Sequence, residues 1–545
     1  MAFPQWQRWS RATAAGALSA ALLAACGSAP PQAASPGLAP GVHQQSTQSP
    51  VRDPVAGTAT TRVAFTVFVP ETPGPYPLVL IGGGFGEGRT TSLPGPDNEP
   101  ATSYWRRMQR QIPKLLARGH AVISFDYRGH GDSGGDMRLL DSATDMQDLR
   151  AIIDWAERHL NLARRASSTR ADDPLVATMG GSYGGAYQLL LAQLDTRIDA
   201  IVPTMTWSRL DHDLLPDQVV KHGWLQLECF LGQRGKVRDD GRFVKLCELV
   251  KPPQTATLEA VPPADARAMN DYLAGSGWQS WLRQGGRGRP VDALLVQADE
   301  DVLFPLNDAF ENFRSLQALG GDVRLITVRA GHVNQLAGQK NQAPVCGQAV
   351  PDAFDAMLDF LDEKLRGAPR KGLPAGTLCF ATGERSAEWR TSLPPDAGPD
   401  APRVDLAAVE VAGAQPVFVP LRAALPAGQV LLGAPRAVLD VQGAAPRSVA
   451  LVGVGLRRAG QAPLLVSGQL TAVRTGSGRE VVLPAVAQAL QPGDELGVLL
   501  WPAHPQFQHM KSVSEPVPVG GVLPGNAVRV SGQVWLPVQR SAGAR

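Results

Sequence analysis

Short, almost wholly apolar runs alternate along the chain with longer stretches whose apolar residues recur every three or four positions. The runs at 62–70, 76–81, 121–126, 175–180, 200–204, 293–298 and 323–328 are dense in Val, Ile, Leu and Phe. That length and composition predict strands buried on both faces. Between them, residues 144–160 set Met146, Leu149, Ile152, Ile153 and Ala156 on one helical face. Residues 105–117, despite Pro113, and residues 184–194 and 352–365 also read as helices. Such alternation predicts an α/β domain with a mostly parallel sheet, spanning residues 59–365.

Two regions break the rhythm. Residues 208–290 are too many for a simple crossover and hold Trp224, Trp278 and Trp281, with Trp207 at their border. They read as a helical cap inserted over the functional edge of the sheet, or else as a peripheral excursion that only packs. After a linker at 366–403, rich in Pro, Gly, Arg and Asp, residues 404–545 change period. Short β-branched runs at 417–419, 437–441, 449–454, 464–466, 481–483, 496–500 and 528–530 are punctuated by Gly and Pro. They predict a β-sandwich of jelly-roll type.

Composition adds the compartment. The 545 residues are 44% hydrophobic and carry a formal charge of only +2, with no basic, aromatic-interleaved segment, so nucleic acid is not an expected partner. Arg8 and Arg11 precede a short apolar run that ends in Leu23-Ala24-Ala25-Cys26. It is too short for a membrane span and reads as a signal peptide over 1–25. The four residues resemble the lipobox of bacterial lipoproteins, which implies lipidation of Cys26 and a membrane-anchored, exported protein, periplasmic or at the cell surface. The alternative is a soluble secretory signal cut near Ala25. Residues 26–58 read as a flexible tether. The other four cysteines, Cys229, Cys247, Cys346 and Cys379, are an even set suited to two disulfides, with sequence neighbours paired in the simplest arrangement. Their spacing does not suggest a metal site.

The chemistry concentrates in Gly180-Gly181-Ser182-Tyr183-Gly184-Gly185, which contains G-x-S-x-G between a predicted strand and a predicted helix. Small residues permit the sharp turn that lifts a serine hydroxyl above the sheet edge. A nucleophilic serine needs a base, and the base an orienting acid. Asp301 follows the strand at 293–298, with Asp299 as the close alternative, and His332 follows the strand at 323–328 between Gly331 and Val333. The order Ser, acid, His matches that architecture. The backbone N–H groups of Tyr183 and of Phe85, in the loop 82–86, are the expected oxyanion donors. The turn Asp126-Tyr127-Arg128-Gly129-His130-Gly131-Asp132-Ser133 reads as structural, with His130 packed within it.

On these motifs residues 60–365 resemble an α/β-hydrolase. The cap and the C-terminal β domain resemble the Xaa-Pro dipeptidyl-peptidase and cocaine-esterase group. The resemblance implies an α/β-hydrolase fold followed by a jelly roll, and Ser182 as nucleophile, Asp301 as acid and His332 as base. One departure stands: that group uses a Tyr hydroxyl in its oxyanion hole, and the corresponding loop here carries Phe85. The expected function is hydrolysis of an ester or peptide bond in a small substrate, without metal or organic cofactor. An aminopeptidase would also need a carboxylate for the substrate's ammonium, for which Asp211, Asp213 and Asp217 in the cap are candidates. The rival from another class is a non-catalytic, surface-binding lipoprotein on a hydrolase scaffold.

Overall fold

Residues 38–51, 60–95, 104–166, 170–248, 263–332, 353–383, 386–444, 448–508 and 525–542 are described by the structure, a computed structural model. The chain begins with β1 (Gly41–Gln48), β2 (Arg62–Val69), β3 (Leu78–Gly82), α1 (Tyr104–Gln109), α2 (Gln111–Ala117), β4 (Ala121–Phe125) and α3 (Asp145–His159). After the two-residue strands β5 (Arg164–Arg165) and β6 (Asp173–Pro174) come β7 (Val176–Gly181), α4 (Tyr183–Leu194) and β8 (Ile198–Thr204). The inserted segment contains α5 (Leu210–Leu214), α6 (His222–Arg234), α7 (Arg242–Glu248), α8 (Pro263–Ala274) and α9 (Gly277–Arg283). The sheet resumes with β9 (Asp292–Ala298), α10 (Leu306–Leu319), β10 (Val323–Val328), α11 (Ala353–Arg366), β11 (Leu378–Ala381) and β12 (Ala387–Arg390).

These strands form one ten-stranded sheet in the order β1-β2-β4-β3-β7-β8-β9-β10-β11-β12. Neighbours from β4 to β11 pair in parallel, and the outer pairs are antiparallel. Every residue of β3, β4 and β7 is buried. Leu78 and Leu80 enter one apolar layer while Val79 and Ile81 enter the other, as the two-residue period of a strand requires.

Three expectations change at the sheet's margins. Residues 41–48, expected within a tether, form edge strand β1, paired in register with β2. Its exposed, polar alternation hid it, because an edge strand is held by backbone hydrogen bonds to its neighbour. Within the expected linker 366–403, β11 and β12 extend the same sheet. The helix expected over 105–117 is split into α1 and α2 at Arg110. Pro113 falls in the first turn of α2, where a missing N–H leaves no hydrogen bond unmade.

The C-terminal part contains β13 (Arg403–Gly413), β14 (Val417–Pro420), β15 (Gln429–Gly433), β16 (Arg436–Gly443), β17 (Val449–Arg457) and β18 (Leu464–Arg474). It continues with β19 (Gly476–Val482), β20 (Val486–Ala489), β21 (Glu495–Trp501), β22 (Gly525–Trp535) and β23 (Val538–Arg540). Two four-stranded antiparallel sheets, β13-β22-β16-β19 and β14-β21-β17-β18, share a Val- and Leu-rich interior, and β20-β15-β23 forms a third sheet.

The turn after β4 is held by buried charge. The Arg128 side chain is fully buried, and its Nε and Nη2 donate to the Asp148 carboxylate at 2.8 and 2.7 Å. Asp126 accepts from the backbone N–H groups of Arg89 and Asp132 and from the Arg89 guanidinium. Ser133 Oγ donates to the Asp126 carbonyl at 2.9 Å. His130 is enclosed by Phe85, Tyr127 and Tyr183, and burial lowers its pKa to about 4. Arg128→Met removes the guanidinium that meets the buried Asp148 carboxylate. The expected loss is about 3–5 kcal/mol of stability, measured by urea denaturation.

Candidate active site

The structure builds the site just beyond the carboxyl ends of three parallel strands, β7, β9 and β10. Ser182 lies between β7 and α4 with φ 57° and ψ −123°, a conformation that a side chain rarely adopts. Its N–H donates to the Thr204 carbonyl at 2.9 Å, and its carbonyl accepts from Thr206 Oγ1 at 2.9 Å, so the end of β8 and the loop just after it hold the turn on both sides. The flanking glycines are required by close approach. A Cβ on Gly184 would lie 2.3 Å from the Gly82 carbonyl, and one on Gly180 would lie 2.7 Å from it. The turn therefore presses directly onto the loop that carries Phe85. Tyr183 opens α4, so its N–H belongs to the helical turn whose donors have no intrahelical acceptor.

His332 follows β10 and brings its Nε2 to 3.1 Å from Ser182 Oγ. Its Nδ1 lies 2.7 Å from Asp301 Oδ2. The other oxygen, Asp301 Oδ1, accepts the backbone N–H groups of Leu303 and Phe304, both at 2.9 Å. Burial by itself lowers the His332 pKa, but the charge and hydrogen bond of Asp301, helped by the charge of Glu228, hold it above its ordinary value. Asp299 faces elsewhere: it pairs with Arg329 at 3.0 Å, and burial pushes its carboxyl up to about 8. The structure thus separates the two acids that the sequence left close, placing Asp301 and not Asp299 against His332.

The cap closes over this arrangement. A small pocket is bounded on the catalytic-domain side by Phe85, Ser182 and Tyr183 and on the cap side mainly by leucines and Phe243. Trp207 lines it, and the Trp224 ring meets His332 edge-on at 5.9 Å. Trp278 points away and donates its Nε1–H to Asn312 at 2.8 Å. The Cys229–Cys247 disulfide ties α6 to α7, as expected. Cys379 is disulfide-bonded too; Cys346, its expected partner, and Cys26 lie outside the described residues.

None of the three cap aspartates reaches the cavity. Asp211 pairs with Arg209 at 2.6 Å. Asp213 is buried against Asp308, its carboxyl pushed well up by burial and by that neighbour. Asp217 accepts the Arg474 N–H at 2.7 Å and pairs with Arg479, linking the cap to the β-sandwich. The carboxyl that does line the cavity is Glu228 on α6, which burial pushes up to about 7 against the pull of His332. Nothing in the local sequence marked Glu228, because its helix had to fold back over the sheet before it met the site. Glu87 was passed over too, although its contact is local. Its Oε2 accepts the Gly84 N–H at 3.0 Å, bracing the loop that carries Phe85. Among the described residues, no group of three or more His, Cys, Asp or Glu could hold a metal ion.

Comparison with known proteins agrees with this architecture. The structure is similar to a CocE/NonD family hydrolase from Staphylococcus aureus, with a TM-score of 0.59 at 12% identity, covering 92% of this chain and 97% of that one. It is also similar to an alpha-amino acid ester hydrolase, with a TM-score of 0.58 at 15% identity, covering 94% and 99%. These likenesses extend through the C-terminal sheets and show an α/β-hydrolase fold with an added β-rich domain. By sequence, the chain is 29% identical over 153 residues to an uncharacterized 31.7 kDa protein of Escherichia coli, which is 28% of this chain and 44% of that protein. The chain thus spans less than half the length of that curated relative. Residues 57–334, just over half of the chain, match the family described as X-Pro dipeptidyl-peptidase (S15 family). With its strand-end Ser, Asp and His on this fold, the chain belongs to the S15 family.

Proposed function

We propose that the protein is an exported serine hydrolase that cleaves an ester or amide acyl bond through an acyl-enzyme on Ser182. The observation that carries this reading is the unbroken line from Ser182 Oγ to His332 to Asp301, with separations of 3.1 and 2.7 Å. Ser182 Oγ attacks the substrate carbonyl while His332 Nε2 takes its proton. Asp301 fixes the tautomer and steadies the imidazolium. The N–H groups of Tyr183 and Phe85 receive the developing oxyanion. His332 then returns the proton to the leaving group, and water repeats the sequence to release the acid. The mainly apolar cavity suits an apolar acyl or leaving group.

A second reading, an Xaa-Pro-type peptidase or amino-acid esterase, draws support from Glu228. That carboxyl stands in the cavity beside Ser182 and has no ion-pair partner among the described residues. It replaces the cap aspartates as the group that would meet a substrate ammonium. Parallel assays on p-nitrophenyl butyrate and Ala-Pro-p-nitroanilide separate the two readings.

The acyl-enzyme is tested directly. A fluorophosphonate should label the wild type and not Ser182→Ala, and that variant should lose about a thousandfold or more in turnover. Asp301→Asn should lose about a hundredfold or more and Asp299→Asn much less. Failure of the wild type to label would favour a non-catalytic, surface-binding scaffold.

The pH profile follows from the raised pKa of His332. The base must be neutral, so activity falls as pH drops through that pKa, and the acid limb should lie above the imidazole's usual value of about 6.5. Glu228→Gln removes one of the charges that raise it and should move the limb to lower pH, as read from kcat/KM against pH.

Export and anchoring are supported by Leu23-Ala24-Ala25-Cys26 and by the cap disulfide. Palmitate fed to an expressing bacterium should mark the wild type and not Cys26→Ser. Equal marking of both, or of neither, would remove the lipid anchor.

A further inference from the structure

The turn that presents Asp301 is held from outside the catalytic domain. Its carbonyls point away from His332 into protein, where each needs a donor. Lys221, in the cap just before α6, donates Nζ to the Val302 carbonyl at 2.9 Å. Gln297 donates Nε2 to the Phe304 carbonyl at 2.8 Å. The Asp301 carbonyl itself accepts from Gln469 Nε2 at 2.8 Å, and the Asp299 carbonyl lies 3.5 Å from the same nitrogen. Gln469 is buried and belongs to β18 of the β-sandwich.

The local backbone of β18 departs from a regular strand at this point. Pairing with β17 jumps from Gly453↔Leu470 to Gly455↔Leu465, so that Val466, Ser467, Gly468 and Gln469 stand opposite Val454 alone. Ser467 and Gly468 both take left-handed φ angles, 51° and 66°, a costly choice for the serine. The bulge is propped by Gln506, whose Nε2 donates to the Gly468 carbonyl at 2.8 Å. A Cβ on Gly468 would already lie 3.3 Å from Val302 Cγ1, so glycine allows the bulge to reach the turn. Bulges characteristically re-aim a side chain.

We propose that Gln469 is a positioning residue for the hydrolytic reaction, by which the bulge of the β-sandwich, with Lys221 opposite it, sets the Asp301 turn and through it the His332 ring. This rests on the reading of Ser182, His332 and Asp301 as the catalytic set. Gln469 touches neither the substrate nor the reacting atoms. It acts through the carbonyl of Asp301, whose carboxylate is fixed by the same turn. Among the described residues, the charged groups that act on the His332–Asp301 pair are Lys221 and Glu228 from the cap.

The test uses the full chain. Gln469→Met keeps the length of the side chain and removes the donor. Gln533→Met removes a comparable amide, on β22, that meets Asp405 on the edge strand β13 at the surface of the same domain, and serves as control. Active-site concentration is set by fluorophosphonate titration, so only folded sites are counted. Gln469→Met should lower kcat on p-nitrophenyl butyrate about ten- to a hundredfold, the cost of a small misplacement, with KM nearly unchanged. Its acid limb should shift to lower pH as the hold of Asp301 on His332 loosens, while Gln533→Met matches the wild type in both. A Gln469→Met protein that is merely less heat-stable, with wild-type kcat and pH profile per titrated site, overturns the proposal. If Gln469→Met does not fold, Lys221→Met examines the same turn from the cap side: about a tenfold or greater fall in kcat per titrated site at nearly unchanged KM supports the proposal, and wild-type kcat overturns it. Loss of the catalytic reading is seen separately, as activity that survives Ser182→Ala.

Discussion

Everything at this site depends on holding one serine in a backbone conformation that it does not favour. Ser182 keeps a positive φ because Thr204, at the end of β8, and Thr206, just after it, bond to its N–H and its carbonyl, and because Gly180 and Gly184 let the turn settle onto the Gly82 carbonyl. The gain is geometric. The hydroxyl stands clear of the sheet at the start of α4, where the helix N-terminus favours negative charge. The same contact presses the Phe85 loop against the turn, so Ser182 and that loop are placed by a single packing event.

The second constraint is burial. Asp301 is fully enclosed, and an enclosed carboxylate is tolerated only when its oxygens are satisfied. Its own turn supplies two N–H groups and His332 supplies the third contact. Asp299, equally enclosed, has the Arg329 ion pair instead, and burial moves it toward neutrality. Two acids one residue apart thus acquire different chemistry from which partner each one meets. Glu228 is a third case: a carboxyl lowered by the cap into a largely apolar cavity, where it and His332 each shift the other's titration.

The added β-sandwich is integrated with the catalytic part through polar contacts as well as apolar ones. Asp217 of the cap is held by Arg474 and Arg479, and Asn307 at the start of α10 bonds to the backbone of Leu483. Together with the Gln469 bonds, these contacts fall close to the loop between β9 and α10. The β domain therefore abuts the segment that carries Asp301 and holds the cap at Asp217.

Local physics made much of this readable from the residues alone. Apolar runs of strand length, helical periodicity between them and small residues around a serine report on conformations set within a few positions. The parallel sheet, the turn at Ser182 and the order of Ser182, Asp301 and His332 were therefore legible. Edge strands β1 and β12 were not, because their polar or irregular residues are ordered by backbone pairing with distant neighbours, and the four residues of β11 make too short a run to stand out. The choice of Asp301 over Asp299 needed the direction of a buried turn. Glu228 and Gln469 were invisible because each meets the site only after a distant segment folds back onto it; Gln469 lies 168 positions from Asp301. The sequence by itself determined the elements and the chemically competent residues, since periodicity and turn sterics are local. Tertiary structure decided which of those residues face one another, since burial and partnership belong to the packed chain.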